Sequence, residues 1–205
     1  MTVPPRFASK RIVSAALALA AVSVLTGCHL AVLVGSATGA YVATDIAMDR
    51  RTTRVILDDE HIGSIASERI GIRTGDKAHI NALSFNYTVL LTGEAPDAGM
   101  KAVIEKAVRE IPRVKNVVNE IQIAGVSSLA SRSNDTYLTG KIKSNFVAAV
   151  KFAPSHVKVV TEDGTVYLLG IVTREEANAA TEIARSITGV QRVVRVFEYL
   201  GPAEQ

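Results

Sequence analysis

The 205-residue chain reads as an α+β protein: two copies of one small module, each running helix–strand–strand–helix–strand, behind an exported and lipid-anchored N-terminus. Three observations predict this. An apolar leader ends in the only cysteine, a repeat recurs at an offset of about 76 residues, and β-rich pairs joined by turn residues alternate with Ala-rich helical patterns.

The leader comes first. Arg6, Lys10 and Arg11 form a positive n-region, and residues 12–25 are apolar and uncharged, too short a run to span a bilayer comfortably. It ends in Leu25-Thr26-Gly27-Cys28, which resembles the lipobox of bacterial lipoproteins, where the thiol receives diacylglycerol and cleavage falls just before it. The expectation is a signal peptide at 1–27, lipidation at Cys28 and a flexible lipidated tether at 28–54. Two or three acyl chains anchor stably where one is marginal. His29 follows the cysteine where inner-membrane lipoproteins usually carry Asp, so the expected address is the outer membrane, lipid-anchored on its periplasmic face. Within the tether, the apolar residues 30–34 are open between a bilayer-surface segment and an ordinary linker. The net charge of +3 vanishes with the three leader cations, which removes any charge argument for nucleic acid.

The repeat sets the architecture. Ile111-Pro112-Arg113-Val114-Lys115-Asn116-Val117-Val118-Asn119 aligns with Ile187-Thr188-Gly189-Val190-Gln191-Arg192-Val193-Val194-Arg195, and Leu90-Leu91-Thr92-Gly93 with Tyr167-Leu168-Leu169-Gly170. In the second copy, Asn134-Asp135-Thr136 supplies N-cap residue types ahead of a helix reaching about residue 150, with Leu138, Ile142, Phe146 and Ala149 as its core stripe. Strands at 157–161 and 165–172 join at Asp163-Gly164, a strong type I′ hairpin signal. A helix at 174–187 packs through Ala177, Ala180 and Ala184, Gly189 ends it, and a strand covers 190–199. The first copy gives a helix at 59–73, strands at 80–85 and 88–93 around the weaker turn Asn86-Tyr87, a helix at 97–111 and a strand at 114–124. The expected modules are 55–124 and 133–201, with a Ser-rich linker at 125–132 and Glu162-Asp163 solvated in the second hairpin.

Two such modules behind a lipobox resemble the dual BON-domain outer-membrane lipoproteins. The likeness is carried by Ser133-Asn134-Asp135-Thr136, Val157-Lys158-Val159, Thr161-Glu162, Gly164, Leu168, Gly170 and Gly189-Val190, and more loosely by Val89-Leu90-Leu91, Gly93 and Val118-Asn119-Glu120-Ile121. The resemblance implies that each module is a three-stranded mixed sheet packed by two helices. It also implies anionic phospholipid binding centred on the first helix of the second module, a role in outer-membrane integrity and presence at division sites. The family's aromatic after Ser-Asn-Asp-Thr is Trp; here it is Tyr137, smaller but also interface-seeking.

The residues supply a separate argument. Opposite the core stripe of that helix stand Tyr137, Lys141, Lys143, Ser144, Val147 and Lys151, a mixture of apolar groups and amines such as a membrane-surface helix presents to phosphate. The alternative is that Tyr137 covers the core or meets the other module, and the lysines are a solvated face. The matching helix of the first module carries Asp58, Asp59, Glu60 and Glu68 against Arg69 and Arg73, which would repel anionic lipid.

Catalytic chemistry has no constellation: His29, His61, His79 and His156 lack metal-ligand spacing, the one thiol is assigned to lipid, and no phosphate loop or nucleophile elbow occurs. No enzyme activity, cofactor, metal or nucleic-acid partner is expected. The expected partner is an anionic phospholipid membrane. The alternative is a periplasmic adaptor for outer-membrane assembly proteins or the regulators of cell-wall amidases.

Overall fold

The computed structural model describes residues 49–201. The expected signal peptide, Cys28 and the tether up to residue 48 lie outside them. The first module comprises α1 (Thr53–Thr74), β1 (His79–Phe85), β2 (Thr88–Ala95), α2 (Ala98–Arg109) and a last strand divided into β3 (Asn116–Asn119) and β4 (Gln122–Ile123). The second comprises α3 (Leu129–Ala149), β5 (Lys158–Glu162), β6 (Thr165–Val172), α4 (Arg174–Arg185) and β7 (Arg192–Tyr199). In each, the central strand pairs antiparallel with its hairpin partner and parallel with the strand after the second helix, giving the orders β1-β2-β3 and β5-β6-β7. The first module's strand breaks because Asn119 Oδ1 takes the Ile121 N–H at 3.2 Å. Pairing to β2 then resumes through β4.

Hairpin chemistry is the same in both copies. Asn86 and Tyr87 sit at φ 50° and 66°, Asp163 and Gly164 at 45° and 67°, the left-handed pair that a type I′ turn requires. Each turn is held from behind by a buried carboxylate one helix away. Asp59 accepts Asn86 N–H (2.7 Å), Tyr87 N–H (2.9 Å) and Ser84 O–H (2.6 Å); Asp135 accepts Asp163 N–H and Gly164 N–H, both at 2.9 Å. Such charge-assisted bonds offset the cost of burying the carboxylate.

This corrects the helix starts. Asp135 is no cap: Ser128 caps α3 by accepting Ser131 N–H, and the helix begins at Leu129, inside the expected linker. Likewise α1 starts at Thr53 behind Thr52, ahead of the expected 59.

Val89 and Leu91 on β2 face α1 and α2, and Val166, Leu168 and Val172 on β6 face α3 and α4. The opposite sheet faces pack on each other: Phe85 and Leu90 of the first module share a third apolar cluster with Tyr167 and Leu169 of the second. Both faces of each central strand are therefore covered, and all three clusters lie within the described residues. Glu162 is a second correction. It is buried at this seam, accepting from Asn81 Nδ2 (2.8 Å) and Thr92 Oγ1 (3.3 Å), and burial, with help from nearby Glu94, raises its pKa.

Candidate membrane-docking face

The outward face of α3 is built by the same periodicity that buries its inner one. Leu138, Ile142 and Phe146 enter the core, Phe146 edge-on to Phe152 with ring centres 5.1 Å apart. At 100° per residue, Tyr137, Lys141, Ser144 and Ala148 then share a stripe about 60° wide on the opposite side. Tyr137 is 62 % exposed and Val147 65 %. The Lys141 amine lies 5.8 Å from the Tyr137 ring centre, a cation–π approach that holds phenol and amine on one patch. Among the described residues no carboxylate forms an ion pair with Lys141 or Lys151.

Not every expected residue joins that patch. Ser144 turns its hydroxyl to Gly140 O at 3.0 Å, so it offers an acceptor rather than a donor. Val147 and Lys143 flank the line and edge a hollow of about 430 Å³ shared with Asp49, Arg51, Ile56, Phe85 and Lys158. Lys151 lies past the helix end. Val150, which the sequence reading passed over, caps the helix in the left-handed region (φ 50°) and is 86 % exposed. An apolar β-branched residue in a conformation suited to glycine is the signal that could have singled it out.

The chain reaches this body through a two-arginine strap. Arg50 donates to both oxygens of Glu176 (2.6 and 3.0 Å) and to Ile171 O (2.8 Å) in the second module. Arg51 donates to Asp49 and Asp59 and stacks 4.1 Å over the Phe85 ring in the first. Glu176 also closes the N-terminus of α4 with Thr173, and His156 Nδ1 lies 3.0 Å from it. Burial acts to raise the Glu176 pKa; the hydrogen bonds from Arg50, the Thr173 N–H and His156 outweigh it and hold the carboxyl at about 2.

The acidic helix of the first module is less repellent than its sequence suggested. Asp59 is buried in its hairpin, while Asp58 pairs with Arg113 and accepts from the Tyr87 hydroxyl at 3.0 Å. Among the described residues, no group of three His, Cys, Asp or Glu residues is placed to hold a metal, and no helix is long and apolar enough to cross a membrane.

The BON domain model matches this chain twice, over residues 58–125 and 134–201, one match for each module just described. The chain belongs to the BON-domain family. Among relatives of this dual BON protein, the outer membrane lipoprotein DolP of Haemophilus influenzae is 37 % identical over 187 residues, covering 90 % of this chain and 95 % of the relative. A 21 kDa hemolysin of Actinobacillus pleuropneumoniae is 30 % identical over 159 residues (75 % and 80 %). The osmotically-inducible protein Y of Escherichia coli is 26 % identical over 152 residues (73 % and 69 %).

Proposed function

We propose that this BON protein is an outer-membrane lipoprotein, acylated at Cys28 and facing the periplasm, that docks on anionic phospholipid through α3 and supports membrane integrity, including at division sites. One observation carries the docking: Tyr137 stands in solvent beside Lys141, which forms no ion pair with a carboxylate among the described residues. The ring and Val147 enter the headgroup zone, and Lys141, Lys143 and Lys151 meet lipid phosphate, each adding about 1 kcal/mol near an anionic surface. The anchor supplies high local concentration, so a modest intrinsic affinity suffices. DolP of Haemophilus influenzae, named an outer membrane lipoprotein, supports the address.

Flotation of a fragment starting at residue 44, which carries all three apolar clusters, tests this with and without phosphatidylglycerol in the vesicles. Binding that needs anionic lipid and is lost in Tyr137→Glu and Lys141→Glu is expected. Flotation indifferent to lipid charge and to both substitutions refutes it.

A second reading, an adaptor for membrane-assembly or wall-remodelling proteins, draws on the exposed apolar residues Ile123, Val126 and Leu129 where the modules join. Crosslinking from Leu129 to a partner, unaffected by Tyr137→Glu, would favour it.

A further inference from the structure

The two copies share a backbone but differ beside their hairpins. In the second, the turn closes on Gly164 and the chain enters its last strand through Gly189 (φ 102°). The first copy has Tyr87 (φ 66°) and Arg113 (φ 73°) at the equivalent positions, both in the region that favours glycine. The equivalence is set by a shared hydrogen bond: Lys115 N–H donates to Tyr87 O, and Gln191 N–H to Gly164 O, each at 2.9 Å.

Both departures strain the backbone, and both line one hollow of about 500 Å³, together with Arg54, Asp58, Val114 and Lys115. The repeat counterparts of Arg54, Asp58, Arg113 and Lys115 are Ala130, Asn134, Gly189 and Gln191, none of them charged. Asp58 offsets one of three cations. Arg113 bonds it through one nitrogen and, half exposed, keeps other guanidinium donors for a ligand. Arg54 is 78 % exposed, with its Nε 4.0 Å from Asp58, and the Lys115 amine lies 4.6 Å from the Tyr87 ring centre. The hairpin accounts for the conformation of Tyr87, whereas the strained Arg113 brings its guanidinium to a surface where the second copy has glycine.

We propose that this hollow binds the phosphate of an anionic phospholipid headgroup, giving the first module a membrane contact of its own. The proposal rests on the docking reading above for the source of that phosphate. Position favours a membrane over an acidic protein. Arg54 follows the strap within one turn of α1, and Ile56 on the next positions edges the hollow that Val147 and Lys143 share. Both cation-bearing surfaces thus lie close in the chain or in space to the strap of Asp49 and Arg51.

The test is an NMR titration of the same fragment with dihexanoylphosphatidylglycerol below its micelle concentration, with hexaglutamate and inorganic phosphate as comparison ligands. Saturable shifts at Tyr87, Arg113 and Lys115 with the lipid, absent from the double variant Arg113→Gly, Lys115→Gln, are expected. That variant restores the residues of the second copy and relieves one strained position, so it keeps its fold. It should also bind phosphatidylglycerol vesicles about thirtyfold more weakly, at roughly fivefold per cation. No shifts at these residues, or shifts with hexaglutamate but not lipid, overturn the proposal; equal shifts with phosphate alone do so too, by reducing the hollow to a general anion site. The docking reading is scored separately, by the Tyr137 and Lys141 signals in the same spectra.

Discussion

Replacing Arg50 with alanine tests how the segment ahead of α1 is fixed to the body. The guanidinium makes two bonds to Glu176 and one to Ile171 O, and the pair is mostly shielded, with 26 % and 13 % of the two side chains exposed. A carboxyl held at about 2, against an ordinary 4.5, contributes about 3 kcal/mol to folding at neutral pH, at 1.36 kcal/mol per tenfold. Arg50 supplies the leading favourable interaction, with Thr173 and His156 behind it, so Arg50→Ala should cost about 2 kcal/mol and Glu176→Gln up to about 3 kcal/mol.

The pH dependence has a definite sign. The folded carboxyl is the stronger acid, so its contribution is complete above the unfolded value of 4.5 and is lost as pH falls through about 2. By linkage, the gap between wild type and Glu176→Gln should shrink by about 1 kcal/mol between pH 7 and pH 3.5. Urea unfolding of the pair at both pH values isolates it, because every other carboxylate titrates in both proteins. A gap that does not change with pH, together with a loss below about 0.5 kcal/mol in Arg50→Ala, a size typical of exposed pairs, would refute the strap.

Four further substitutions test the geometry. Val150→Gly removes a left-handed β-branched residue that packs on nothing, and should raise stability by about 1 kcal/mol, read as a higher urea midpoint. Asp135→Ala strands the Asp163 and Gly164 amides and should cost about 2–3 kcal/mol; Asp59→Ala should cost more, because it also strips Arg51 of a partner. Glu162 has its folded pKa raised by burial, so its contribution is favourable below the unfolded value and is lost as pH rises through the folded one. Glu162→Gln should therefore melt above wild type at pH 8, with the difference shrinking toward pH 4.

The hairpins, the helix cores and the repeat were legible because each is a local pattern: a turn dipeptide, a 3.6-residue stripe, a fixed offset. Asp135 was misplaced because a carboxylate near a helix start suits a cap equally well, and only the fold brings the hairpin amides behind it. The seam had left a trace. Val166-Tyr167-Leu168-Leu169-Gly170-Ile171-Val172 is apolar without alternation, as a strand covered on both faces must be. Glu162 sits at the end of a strand that reads as half solvated until a second sheet is laid over it. At the candidate site, the line of Tyr137 and Lys141 came from periodicity. The tilt of Val147 and Lys143 toward the strap, and the cations beside Tyr87, depend on which elements meet, which spacing cannot supply.

Duplication explains why the functional chemistry can diverge between copies. One module alone would leave a sheet face bearing Phe85 and Leu90, or Tyr167 and Leu169, in water; two modules cover each other and send all four helices outward. The shared skeleton, two buried aspartates behind two hairpins, is then indifferent to what the helix surfaces carry. One copy places a phenol and amines along α3, and the other sets arginines and a lysine around Asp58 at the start of α1. Both lie beside the strap, yet Arg50 touches neither, since its partners are Glu176 and Ile171. Arg50→Ala should therefore leave flotation of the unanchored fragment unchanged under conditions where it remains folded. A parallel loss of vesicle binding in the folded variant would mean that the strap shapes the outward face of α3, and that its role is not confined to stability.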